Sequence, residues 1–125
     1  TNIPAQFHIP GSYVSAFGPD ISTSSSALDK SIVAGVAQYG PYGSFGVPSY
    51  AAADVAMRAI ASVCKSGGTP TRSNVLAAIK TTDIAAADTP LGNVVKFESN
   101  GDLFDHPGYL FHVNSAGKYV SIPNH

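Results

Sequence analysis

Charge is scarce in this chain. Asp, Glu, Lys and Arg make up 12% of its 125 residues, about half of the roughly 25% usual in globular domains. The seven basic residues are scattered, and the net charge is −1. Binding to nucleic acid or to an anionic membrane needs clustered Lys and Arg, so composition argues against both partners. Long apolar runs are missing too; none approaches the ~20 residues of a membrane span. Cysteine occurs once, as Cys64, which excludes a disulfide within the chain. Its place on an apolar helical stripe predicts an inert core thiol. Few cysteines among abundant Ser, Thr, Gly and Ala suit an exported bacterial protein. Glutamate also occurs once, as Glu98, on a strand where it is expected to face water.

Catalytic signatures are equally sparse. No Gly-x-Ser-x-Gly elbow exists, because Tyr42 stands where the first glycine before Ser44 belongs. Gly40, Gly43 and Gly46 do not follow the dinucleotide spacing and lack a preceding strand. Asp102, Asp105, His106 and His112 form the one group of metal-ligand types. Their turn-rich acidic setting reads as solvated surface, with a small metal-dependent hydrolase as the alternative. Paired carboxylates for acid–base work cannot be picked out by spacing. The expectation is a non-enzymatic protein, with no catalytic residues, no metal and no cofactor.

What is present is a long helical stretch behind a glycine-aromatic loop. Gly40, Gly43 and Gly46 are interleaved with Tyr42 and Phe45, as turns that demand positive φ or close approach require. Pro48 and Ser49 suit a helix start. Nothing breaks the pattern until Gly67-Gly68, a C-terminal stop. Ala53, Ala56, Met57, Ile60, Val63 and Cys64 repeat at helical spacing and are expected to face inward. Asp54 and Arg58 form an i,i+4 pair on the wet side. The predicted element is a buried central helix. Tyr42 and Phe45 either plug the top of the core or line a ligand cleft, since loops at element ends present side chains to ligands.

Around this helix the chain reads as a single domain over 1–125. Residues 1–10 form an extended arm. A strand spans Ser12 to Phe17 and ends at Gly18-Pro19-Asp20. A first helix starts near Ser25 or Ser26, with Leu28, Ile32, Val33, Val36 and Tyr39 on one stripe. A third helix is capped by Thr71 or Ser73, with Val75, Leu76 and Ile79 inward and Arg72 and Lys80 outward. Thr81 to Asn93 reads as a linker. Strands follow at Asn93–Phe97, Tyr109–Val113 and Lys118–Ile122, with Asn100-Gly101 as a hairpin turn. The fold class is α+β: three helices on a small, mainly antiparallel sheet.

Four stretches together resemble the C-terminal third of the type I periplasmic solute-binding proteins of branched-chain amino-acid ABC importers. They are Tyr13 to Ile21, the Gly40–Ala52 loop and helix start, Gly68 to Lys80, and Val95-Lys96-Phe97 with Asn100-Gly101-Asp102. The likeness covers roughly 11–122, and the order of the stretches carries it. It implies part of a lobe of a periplasmic, non-catalytic binding protein, with an amino acid as ligand and an ABC permease as partner. In that family an aromatic in the loop before the central helix lies beside the ligand. By position this is Phe45, with Tyr42 as its neighbour. The groups that hold the ligand's carboxylate and ammonium come mostly from earlier segments, which this sequence does not contain. The expectation is therefore a fragment or truncated relative, open to self-association through an unpaired sheet edge. The alternative is a stand-alone structural or interaction domain that has lost transport.

Overall fold

A computed structural model describes residues 9–40, 43 and 45–122. Among these residues the architecture is α+β, with three α-helices, a three-stranded antiparallel sheet and a two-stranded antiparallel sheet. The chain divides into two compact units. One takes residues up to Pro48 and from Pro107 onward; the other is Ser49–His106.

In the first unit, β1 (Tyr13–Ala16), β4 (Tyr109–Val113) and β5 (Tyr119–Ile122) form a sheet with β4 in the middle. Register pairs Val14 with Phe111, and Val113 with Tyr119. Residues directly opposite share a face, and Phe111 and Val113 on this one are buried. Tyr13, His112 and Val120 pair across the other face, where Tyr13 and Val120 are exposed. The β4–β5 turn is closed by Asn114, whose Oδ1 accepts from Ala116 N at 2.9 Å and Lys118 N at 3.0 Å. Helix α1 (Ala27–Ala37) starts at Ser26, whose hydroxyl accepts from Asp29 N. Its stripe is narrower than expected: Ile32 is buried, but Tyr39 lies past the helix end and is 85% exposed.

Helix α2 (Gly46–Lys65) begins at Gly46, ahead of the expected Pro48–Ser49, and Pro48 sits within its first turn. Its end is a Schellman motif. Gly68 N donates to Val63 O and Gly67 N to Cys64 O, both at 3.0 Å, with Gly67 at φ +77°. The buried face differs from the expected one. Val47, Ala51, Val55, Ala59 and Val63 are buried, an i,i+4 row of small and β-branched residues. Of the expected inward set only Val63 is buried; Ala53, Met57, Ile60 and Cys64 are exposed, and Ala56 is half-covered. Cys64 is therefore a surface thiol and not a core one. The helix is apolar on more than one side, so periodicity alone admits two stripes. The Asp54–Arg58 pair forms at 2.8 Å with Arg58 half-exposed, next to the buried row.

The second unit packs Val55, Ile84 and Val95 as a core, with Ile79, Leu91, Phe97 and Leu103 around it. Helix α3 (Arg72–Ile79) is capped by Thr71 Oγ1, which accepts from Asn74 N at 3.3 Å. Val75 and Ile79 are half-buried, whereas Leu76 is exposed, so the inward face is narrower than predicted. The expected linker at 81–93 contains a strand, β2 (Asp83–Ile84), paired antiparallel with β3 (Val95–Lys96), then a 3₁₀ turn at Ala86–Asp88. A two-residue strand leaves no alternation to read. The Asn100-Gly101 turn forms as predicted, with Gly101 at φ +95°.

Candidate functional site

Where β1 ends, Phe17 points outward and the chain turns at Gly18. A Cβ built on Gly18 would lie 2.8 Å from Pro48 Cδ, inside ordinary carbon contact of ~3.5–4.0 Å. The strand exit and the first turn of α2 are thus in direct contact, and only glycine fits between them. That contact seats Phe17 beside Phe45, the residue before α2. Their rings stack with centroids 5.0 Å apart and planes 20° from parallel. Phe45 is held in a turn by Gly46 N, which donates to Gly43 O at 2.9 Å. Both rings remain open to solvent, Phe17 at 71% and Phe45 at 60% exposure.

Gly46, which follows Phe45 in the chain, also lines an apolar cavity of about 80 Å³, together with Ile21, Ile32, Val36 and Val47. Ile21 is fixed by its neighbours. Asp20 Oδ1 accepts from Ser22 N at 2.9 Å, and Ser24 N donates to Ile21 O at 3.2 Å. Among the described residues, every lining group is aliphatic or glycine. An apolar cavity of ~150 Å³ takes benzene, so this one has room for a group of about three or four carbons. Burying roughly 100 Å² of alkyl surface there supplies ~2.5 kcal/mol at about 25 cal/mol per Å². That is short of the ~4.1 kcal/mol of a millimolar complex. The site recognises shape and apolarity; a charged ligand needs further partners.

Of the residues singled out in the sequence, Phe45 is at this site and Tyr42 lies outside the described residues. Phe17 was assigned to a strand end; its adjacency to Gly18-Pro19 was the signal that it sits at a turn. Ile21 and Val47 carried no signal beyond hydrophobicity. Asp102 is engaged in its hairpin turn, where Oδ2 accepts from Asn100 Nδ2 at 2.8 Å. Among the described residues no three His, Cys, Asp or Glu side chains gather to hold a metal ion, and no helix is long and apolar enough to cross a membrane. No protein-family model, curated protein or solved structure matches the chain.

Proposed function

We propose that this chain is a non-catalytic, exported binding protein of the solute-binding type, related to ABC import of branched-chain amino acids. In this reading the aliphatic side chain of the amino acid enters the cavity at Ile21, Ile32 and Val47, and Phe17 and Phe45 cover it. The observation that carries the reading is an apolar cavity sized for a small branched alkyl group, lined by Gly46 and Val47, the residues that follow the solvent-exposed Phe45 of the ring pair. The sequence resemblance supports the same ligand class through Phe45. An ABC permease is the partner this role implies. Binding by the chain alone is weak, because nothing lining the cavity pairs with a carboxylate or an ammonium group.

Chemical-shift titration with leucine, isoleucine and valine into the millimolar range tests this. Saturable shifts centred on Phe17, Ile21, Phe45 and Val47, lost in Phe45→Ala, are expected. A folded protein whose spectrum does not move with any of the three removes the reading and favours a stand-alone interaction domain. The exposed Tyr13 and Val120 on the outer sheet face would then be the surface to examine.

A further inference from the structure

We propose that Asn100 is a site of spontaneous modification, deamidating through a succinimide and so loosening the hairpin that closes the second unit. Of the chain's asparagines only Asn100 is followed by glycine. The reaction begins when the backbone nitrogen of the next residue attacks the asparagine side-chain carbon, and a side chain on that residue obstructs it. Gly101 has none, and beyond its two chain neighbours no atom lies within 4 Å of where its Cβ would be. Asn100 is exposed, so water and hydroxide reach it.

The turn holds both ends of the Asn100 amide against Asp102, the residue that follows Gly101. Asn100 Oδ1 accepts from Asp102 N at 3.0 Å, and Nδ2 donates to Asp102 Oδ2 at 2.8 Å. The Asp102 N–H polarises the amide carbonyl and faces the oxygen on which negative charge develops. One bond opposes the attack: Gly101 N donates to Glu98 O at 3.0 Å. That bond must open first, so reaction proceeds from brief openings of an exposed hairpin end and more slowly than in a free peptide.

Hydroxide removes the Gly101 amide proton, and the nitrogen's electron pair forms a bond to Asn100 Cγ. The Cγ–Nδ2 bond breaks, and the amine leaves as ammonia after taking a proton from water. Nothing is oxidised or reduced. Water then opens the ring at one of its two N–C(=O) bonds. Cleavage at Cγ gives aspartate; cleavage at the backbone carbonyl gives isoaspartate, with an extra methylene in the chain.

Both products lose the Nδ2 donor to Asp102 Oδ2 and gain a carboxylate, on the side chain in aspartate and on Cα in isoaspartate. The longer isoaspartate backbone also disturbs the bonds from Glu98 N to Asp102 O and from Phe104 N to Lys96 O, both 2.8 Å. Phe97 and Leu103, bridged across this hairpin, pack against Val55, Ile84 and Val95. Buried Asn93, whose Nδ2 donates to Asp105 O at 3.0 Å and which is followed by Val94, stays intact.

The full chain is incubated in mildly alkaline buffer, then digested and mapped by mass spectrometry, with isoaspartate counted by enzymatic methylation. Deamidation at Asn100 ahead of Asn74, Asn93 and Asn114 is expected, with isoaspartate in the product, a downward shift in melting temperature, and loss of the methylation signal in Asn100→Gln. Asn100→Asp, which brings the charge without the methylene, is expected to melt between fresh and aged protein. An intact Asn100 overturns the proposal, as does deamidation seen only in urea or led by another asparagine.

Discussion

Replacing Gly18 with alanine places a methyl group 2.8 Å from Pro48 Cδ and 3.2 Å from Cγ. Ordinary carbon contact is ~3.5–4.0 Å, so the two elements must part by close to 1 Å. The proline ring is rigid and sits in the first turn of α2, so no side-chain rotation relieves the clash. Overpacking of this kind costs ~1–3 kcal/mol. Alanine restricts the unfolded chain and returns ~0.4–1 kcal/mol, leaving a net loss of about 1–2 kcal/mol. In domains of ~60–100 residues each kcal/mol moves the melting temperature by about 4–8 °C, so Gly18→Ala is expected to melt roughly 5–15 °C lower. Gly35→Ala is the matched control. It lies inside α1 with no atom within 4 Å of the new Cβ, and there alanine gains ~0.5–1 kcal/mol over glycine. The same chemical change is thus expected to lower one melting curve and raise the other, followed by circular dichroism or calorimetry. A Gly18→Ala protein at least as stable as the parent refutes the close approach of β1 to α2, and with it the seating of Phe17.

Four further outcomes follow from the same geometry. Val55→Ala, which empties two methyl groups from the core with Ile84 and Val95, costs about 2 kcal/mol. Met57→Ala stays within ~0.5 kcal/mol, and denaturant unfolding of the pair reads which face of α2 is inward. Gly67→Ala, at φ +77° in the Schellman motif, loses about 1–2 kcal/mol. Cys64 reacts with a thiol reagent in the native protein as quickly as in denaturant; strong protection would mean that its side of the helix is covered. A double-mutant cycle on Phe17 and Phe45 gives a coupling of ~0.5–1.5 kcal/mol, and additivity would mean the rings do not touch.

Local chemistry was legible wherever a single residue type decides it. Ser26 and Thr71 cap helices because a hydroxyl before a helix meets free N–H groups. Gly67-Gly68 and Asn100-Gly101 stop and turn the chain because positive φ is cheap for glycine. The choice of face on α2 was not legible. Met57 and Ile60 carry more apolar surface than Ala51 and Ala59, so a reading by size selects them, yet they are the exposed ones. The folded chain instead buries the row Val47, Ala51, Val55, Ala59 and Val63. That preference depends on what lies opposite, and no window of sequence contains it. The short β2 failed for a related reason: Ile84 is a lone apolar residue among Thr, Asp and Ala, and its pairing with Val95 is set by the tertiary core.

Half of the candidate site was visible for the same reason. Phe45 stands out beside its glycines, whereas Phe17 becomes its partner only through the contact of Gly18 with Pro48. The ring pair has a purely structural explanation available, since stacked aromatics stabilise one another by ~0.5–1.5 kcal/mol without any ligand. Single exposed apolar side chains need no function at all. The cavity is what separates the two explanations. If the rings serve only each other, ligand shifts are absent both in the parent and in Val47→Ile, which fills the cavity. If they cover an entering alkyl group, the added methyl takes up space in a cavity of about 80 Å³ and weakens leucine more than valine, because the longer side chain reaches deeper. Binding of all three amino acids unchanged by the substitution would place the ligand outside the cavity, on the outer face of the rings.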